Sequence, residues 1–362
     1  MNPILATDPT TTRTCPAGTT PVVFGGCDYL GLSRHPRVIE AATAAAARYG
    51  LSTSASRTTT GDTPEHRGLE ADLARFLDAQ ASVLLLDGLT ANIAAMQALA
   101  MRVRSAVLDE RAHRSLFLAA EAAGLPVRTF AHLDPEDAAR VARSASGPVV
   151  LATDGVFTAD GSRAPVRALL DALPTEHCSL LVDDCHGFMV LGDSGQGTLN
   201  HAGLAPAGRV VMTTTLAKGL GCAGGAVIAD GELVERTRSQ STYVCTTPTP
   251  PPLIAAAREA LAVNADEPVR RERMRANARL LDRAINDAGF GPTDESTPIF
   301  AFWDRDDARM TALRGALLAA GLDVPLIEYP SGPAPRYFRA TATAAHTPDQ
   351  IAALAAALPA DR

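Results

Sequence analysis

Short runs of β-branched and leucine-type residues recur at 82–86, 105–108, 127–130, 149–153, 180–183, 210–214 and 225–229, with longer alanine-rich stretches between them. This alternation constrains the fold more than any other feature. It is the pattern of an α/β domain with a mainly parallel sheet, whose strands are linked by amphipathic helices. Helices are expected over 36–49, 64–77, 90–101, 115–123 and 135–144. A proline-dense turn at 247–252 should end one helix and start another. A charged helix over 268–288 then leads into a strand at 299–303, a helix at 306–320, a strand at 337–343 and a closing helix at 348–358, a small α+β unit. The expected organisation is an amino-terminal segment 1–40, a large domain 41–262 with a seven-stranded sheet, and a small domain 263–362.

Composition narrows the class. With 362 residues, 46% hydrophobic and 20% charged, the chain can bury a large core. A formal net charge of -7 argues against nucleic acid and anionic membranes as partners, since either wants a basic surface. Residues 1–20 hold no apolar stretch of signal-peptide length, and no transmembrane candidate or internal repeat is found. Six cysteines without CxxC pairs suggest neither a disulfide framework nor a zinc ribbon, so a cytoplasmic location is expected.

The chemistry concentrates at strand ends. Val182-Asp183-Asp184-Cys185-His186-Gly187 closes an apolar strand, where ligands bind in open α/β sheets. Lys218, in Thr215-Leu216-Ala217-Lys218-Gly219, lies just past the next strand. A lysine between threonines and glycines, paired with an acid ending a strand, suits pyridoxal phosphate. The lysine would hold the aldehyde as a Schiff base, and Asp183 would keep the pyridine nitrogen protonated. Asp87-Gly88-Leu89-Thr90-Ala91-Asn92 opens a helix after a strand, so its free N–H groups make a phosphate cradle. His113 follows the strand end at Asp109, where an imidazole could stack on a flat ring.

Other readings weigh less. Gly219-Leu220-Gly221-Cys222-Ala223-Gly224 spells GxGxxG, yet no acidic residue about 20 positions on completes a dinucleotide fingerprint. Asp183, Asp184 and His186 do not form a recognised metal cage, and no metal is expected. His35, His132, His177 and His201 read as surface residues and His66 as a helix-start residue.

These blocks, with Cys27-Asp28-Tyr29-Leu30-Gly31-Leu32, residues 153–161 and Thr341-Ala342-Thr343-Ala344-Ala345-His346-Thr347, stand in the order and spacing of the α-oxoamine synthases, which the chain resembles from about Val23 onward. The resemblance implies a fold-type-I pyridoxal phosphate-dependent transferase, similar to aspartate aminotransferase, working as a homodimer with shared active sites. It implies an acyltransferase that condenses an amino acid with an acyl thioester, on CoA or an acyl carrier protein, with loss of carbon dioxide. By resemblance Lys218 is the Schiff-base lysine, Asp183 the pyridine-nitrogen partner, His113 the stacking histidine and His186 the group at the phenolic oxygen, with Thr158 close by. Gly88, Leu89 and Thr215 match phosphate-binding positions, and Thr247 resembles the contact lent by the neighbouring subunit. Arg339 matches the arginine that grips the substrate carboxylate. Cys27 stands where relatives carry an asparagine that helps, and with Leu89 in place of an aromatic it suggests a specialised biosynthetic role. Another pyridoxal phosphate reaction, such as transamination or carbon–carbon lysis, and a non-catalytic partner subunit are the alternatives.

Overall fold

A computed structural model describes residues 20–290 and 297–359. Strand β1 (Val22–Val23) opens the described chain. Seven strands follow: β2 (Ala81–Leu85), β3 (Ser105–Asp109), β4 (Val127–Phe130), β5 (Val149–Asp154), β6 (Ser179–Asp183), β7 (Val210–Thr215) and β8 (Gly225–Ala229). Four more close it: β9 (Ile299–Phe302), β10 (Leu322–Asp323), β11 (Leu326–Ile327) and β12 (Tyr337–Thr341). The described residues divide into two compact units, one of residues 35–157 and 163–266, the other of residues 20–34, 158–162, 267–290 and 297–359.

The first unit is built on a seven-stranded sheet in the order β2-β8-β7-β6-β5-β3-β4. Pairs from β7 to β4 are parallel, while β8 runs antiparallel to both β7 and β2. The reversal follows from chain length. Helical crossovers join the parallel strands, but only the turn 216–224 separates β7 from β8, too short for a crossover. Strands β5, β6 and β7 are buried along their whole length, which is why they read as continuous apolar runs. Alternate residues, among them Ala106, Leu108, Val150, Ala152, Leu181 and Val211, pack into one cluster with the helices Gly88–Ala100 and Arg114–Ala122. Alanines at 91, 94, 95 and 98 let the first of these lie close to the sheet.

Capping sets where that helix starts. The Asp87 carboxylate accepts from the Thr90 N–H at 2.8 Å and the Thr90 hydroxyl accepts from the Asp87 N–H at 2.9 Å, so the helix begins at Gly88, two residues earlier than periodicity predicts. The proline-dense turn does start a helix, Pro251–Asp266. His66 sits at the start of the helix Pro64–Phe76, but it is fully buried. Its Nε2 donates to the Thr249 carbonyl at 2.9 Å.

Two histidines expected at the surface are not there. His35 is 7% exposed at the mouth of the helix Pro36–Tyr49. His132 is half-buried, its Nδ1 2.9 Å from the Asp109 carboxylate and its ring edge-on to Phe157. The carboxylate at the strand end supplies the polar partner that allows the imidazole inside.

In the second unit β11, β12 and β9 form an antiparallel sheet, and β1 pairs in parallel with β10. Phe300, Phe302 and Phe338 pack with Leu281 and Ile285 of the helix Val269–Asp287 and Ile351 and Leu354 of the helix Pro348–Ala357. His346 stacks on Phe24 at 4.4 Å, and its Nδ1 accepts from the Thr343 N–H at 3.0 Å. Burial lowers its pKa to about 4, so the last histidine of the 341–347 run is a neutral structural pin.

Candidate active site

In the first unit the carboxyl ends of the strands surround a cavity of about 170 Å³ lined by Gly88, Leu89, His113, Ser115, Asp154, Val156, Asp183, Cys185, His186, Thr215 and Lys218. Seven of these residues are the ones singled out from the sequence: Gly88, Leu89, His113, Asp183, His186, Thr215 and Lys218. Parallel strands all present their carboxyl ends to one rim, so motifs far apart in the chain meet there.

Asp183 is the last residue of β6. One of its carboxylate oxygens accepts from the Cys185 N–H at 3.1 Å and the other from the Asn92 amide at 2.6 Å. Lys218 is carried by the turn from β7 to β8. Hydrogen bonds from Leu216 N–H to Gly224 O and from Cys222 N–H to Leu216 O, both 2.9 Å, hold the turn closed. Its Nζ lies 2.7 Å from Nε2 of His186. An ammonium can only donate, so that ring nitrogen accepts. Gly219 lets the turn sit against the loop that carries His186, since a Cβ there would come within 2.5 Å of Met189 Cβ and 2.8 Å of Phe188 O.

His113 caps the helix Arg114–Ala122, and its Nδ1 lies 2.7 Å from the Ser115 hydroxyl. Burial holds its pKa below the usual imidazole value. The Asp183 carboxylate opposes that shift and the Lys218 ammonium reinforces it. Asp154, the last residue of β5, accepts from the His113 N–H at 3.0 Å. Burial, with the neighbouring Asp183 charge, raises its carboxyl well above the ordinary range. Its other oxygen is buried at the cavity wall with no hydrogen-bond partner among the described residues.

These residues fit pyridoxal phosphate. Gly88 opens the helix at the cavity wall, and a Cβ there would stand 3.1 Å from Cys185 Sγ and 3.3 Å from Thr215 Cβ, so glycine lets the helix N-terminus, which favours an anion, come this close to β7. An amine and a carboxylate face the same cavity, and Asp154 contributes an unsatisfied polar atom to its wall. Lys218 is, moreover, the only lysine in the sequence, all 32 other members of its 33 basic residues being arginine. Sequence reasoning passed over that signal. It gave no site role to Asn92, Ser115, Asp154, Val156 or Cys185, although all but Ser115 lie inside the motifs.

The remaining candidates lie elsewhere. Thr247 belongs to the first unit but is exposed and does not line the cavity. Cys27, Thr158 and Arg339 cluster in the second unit. The Arg339 guanidinium donates from Nε to the Thr158 carbonyl at 2.5 Å, with Nη2 3.5 Å from the Thr158 hydroxyl and 3.9 Å from Cys27 Sγ. Among the described residues it pairs with no carboxylate.

The chain belongs to the aminotransferase class I and II family, whose model matches residues 19–358. It is 34% identical over 340 residues to the 8-amino-7-oxononanoate synthase of Cellvibrio japonicus (strain Ueda107), an alignment covering 93% of this chain and 85% of that one. With the enzyme of the same name from Xanthomonas euvesicatoria pv. vesicatoria (strain 85-10) it shares 36% identity over 339 residues, 92% of this chain and 84% of the relative. A solved serine palmitoyltransferase from S. paucimobilis, with PLP-myriocin bound, superposes with a TM-score of 0.86 at 25% identity, covering 93% of this chain and 86% of that one. Within the family the chain is an α-oxoamine synthase, a pyridoxal phosphate-dependent acyltransferase of the fold-type-I class.

Proposed function

We propose that Lys218 anchors pyridoxal phosphate and carries the α-proton while the chain condenses an amino acid with an acyl thioester, releasing carbon dioxide and leaving an α-amino ketone. One observation carries the reading: the sole lysine of the chain, an acid at a strand end and a glycine-opened helix face a single cavity. When bound, the cofactor supplies an electron sink for the pair freed at the substrate α-carbon. The chain does the rest. Asp183 holds a proton at the ring nitrogen, His113 packs against the ring, His186 hydrogen-bonds the phenolic oxygen, and Thr158 is a further cofactor contact. Gly88, Leu89 and Thr215 present N–H and hydroxyl groups to the phosphate. Arg339 grips the substrate carboxylate, with Cys27 beside it. The names of the relatives agree with this chemistry, since 8-amino-7-oxononanoate carries its amine and ketone on neighbouring carbons.

The proposal includes a homodimer in which Thr247, exposed in its own chain, contacts the partner's phosphate. Leu86, Leu89, Val244 and Leu253, each more than a third exposed, give the first unit apolar surface for a second copy to cover. The proposed organisation is an amino-terminal segment 1–40, a cofactor domain 41–262 and a small domain 263–362. Residues 20–34 go with the small domain's compact unit. No helix among the described residues is long and apolar enough to cross a membrane. The described cysteines, Cys27, Cys178, Cys185, Cys222 and Cys245, are all free thiols, which supports a reducing, cytoplasmic setting.

The test is turnover of the protein loaded with pyridoxal phosphate on a panel of amino acids and acyl thioesters. Release of free thiol and carbon dioxide in equal amounts is expected. Consumption of an amino acid with neither product would assign a transaminase or lyase instead.

A further inference from the structure

Asn92 belongs to the same helix face as Gly88, one turn further on, and is fully buried. Its amide contacts three neighbours in a fixed sense. The Thr213 hydroxyl donates to Oδ1 at 2.5 Å, while Nδ2 donates to the Asp183 carboxylate at 2.6 Å and to the Ser115 hydroxyl at 3.0 Å. A carboxylate only accepts, so the amide cannot be turned over without facing oxygen to oxygen. Having accepted from Asn92, the Ser115 hydroxyl directs its own proton to Nδ1 of His113, 2.7 Å away. The Ser115 N–H reaches the same nitrogen at 3.2 Å. With Nδ1 accepting from both, the proton of a neutral His113 sits on Nε2.

We infer that Asn92 is a positioning residue for the cofactor site: one side chain sets the orientation of the Asp183 carboxylate and, through Ser115, the tautomer of His113. This rests on the reading of Asp183 as the partner of the cofactor's ring nitrogen and of His113 as the group packed against its ring. Both would act on one ring, and a shared amide fixes them together. Thr213, in β7 beside Asp183 in β6, locks the amide from the far side. A core amide satisfied for stability alone has no need to join these two groups in one chain.

The test compares Asn92→Leu, which keeps volume and removes the polar atoms, with Ser115→Ala, which cuts only the branch to His113. Nitrogen-15 spectra of the labelled full chain report the His113 ring without any need of turnover. The Nδ1 resonance is expected to move in both variants, while His186, whose Nε2 accepts from Lys218, keeps its own shifts. The Kd for pyridoxal phosphate should rise roughly ten-fold in Asn92→Leu, as for loss of one hydrogen bond to a charged group, and stay near wild type in Ser115→Ala. A folded Asn92→Leu protein with unchanged His113 shifts and unchanged Kd overturns the inference. Should that variant fail to fold, an unmoved Nδ1 resonance in Ser115→Ala overturns it equally. Failure of the cofactor reading itself is told apart by the wild-type protein binding no pyridoxal phosphate at all.

Discussion

Three buried carboxylates stand at the ends of neighbouring strands, and their surroundings give them different work. Asp183 takes two hydrogen bonds and faces the cavity, Asp154 holds the His113 backbone, and Asp184 points away into a pocket walled by Gly155, Gly187 and Gly197. Burial raises Asp184 to about pH 7, aided by the Asp183 charge and opposed by bonds of 2.8 and 2.5 Å from the Thr198 N–H and hydroxyl. Its unfolded value is 3.8, so between there and about 7 the folded state holds the proton and the unfolded state does not. Stability is therefore fullest below about pH 4 and falls as pH rises toward 7, by on the order of 1.4 kcal/mol per unit from this group alone. Asp184→Asn should flatten that slope in urea unfolding run at pH 5, 6 and 7, and an unchanged slope would count against the assignment. Beside Arg339, Cys27→Asn restores an amide donor for a substrate carboxylate, so the KM for the amino acid should fall several-fold with kcat little changed; an unchanged KM would remove Cys27 from the substrate site. At this scale the sequence was legible wherever a motif ended a strand. Asn92 and Ser115 were not, because their meaning lies in helix phase and in a hydrogen-bond chain between elements that no spacing displays.

At the scale of elements the proposed site depends on the turn 216–224 lying against the loop after β6, which brings Lys218 to His186. Gly219→Ala drives a Cβ into Met189 and the Phe188 carbonyl, and overpacking of this kind costs about 1–3 kcal/mol. Thermal unfolding should show a clear drop in Tm, and weaker retention of the cofactor should accompany it because Lys218 and His186 are displaced together. Wild-type Tm in this variant would mean the contact is slack. Capping matters similarly at the phosphate cradle. Asp87→Ala removes the capping box and should cost about 1 kcal/mol. Denaturant midpoints will show whether it does. The large sheet was readable because most of its strands are runs of five or six mainly apolar residues between alanine-rich helices. Strands β1, β10 and β11 are two residues each, too short to carry a period, and were missed. The antiparallel placement of β8 follows from the short turn rather than from the strand's own composition.

For the molecule as a whole, the proposed homodimer, with Thr247 lent to the partner's site, would make activity a property of the pair. Mixing Lys218→Ala with Thr247→Asp, each weak alone, should give hybrid dimers with one intact site and restore roughly a quarter of wild-type activity under random pairing. No recovery, with dimers present by sedimentation, would return Thr247 to its own chain. The expected domain bounds placed no crossing at residues 158–162, which count with the unit holding 267–290 and 297–359, since nothing local in Thr158-Ala159-Asp160-Gly161-Ser162 marks one. His35 and His132 were likewise misplaced because burial of an imidazole depends on partners brought by distant segments. The central claim is that the chain's one lysine carries the cofactor, and peptide mass spectrometry of the borohydride-reduced protein tests it most directly. A pyridoxyl phosphate adduct fixed on Lys218 is the predicted result. An adduct confined to the amino-terminal amine, or none on a protein that demonstrably binds the cofactor, would contradict it.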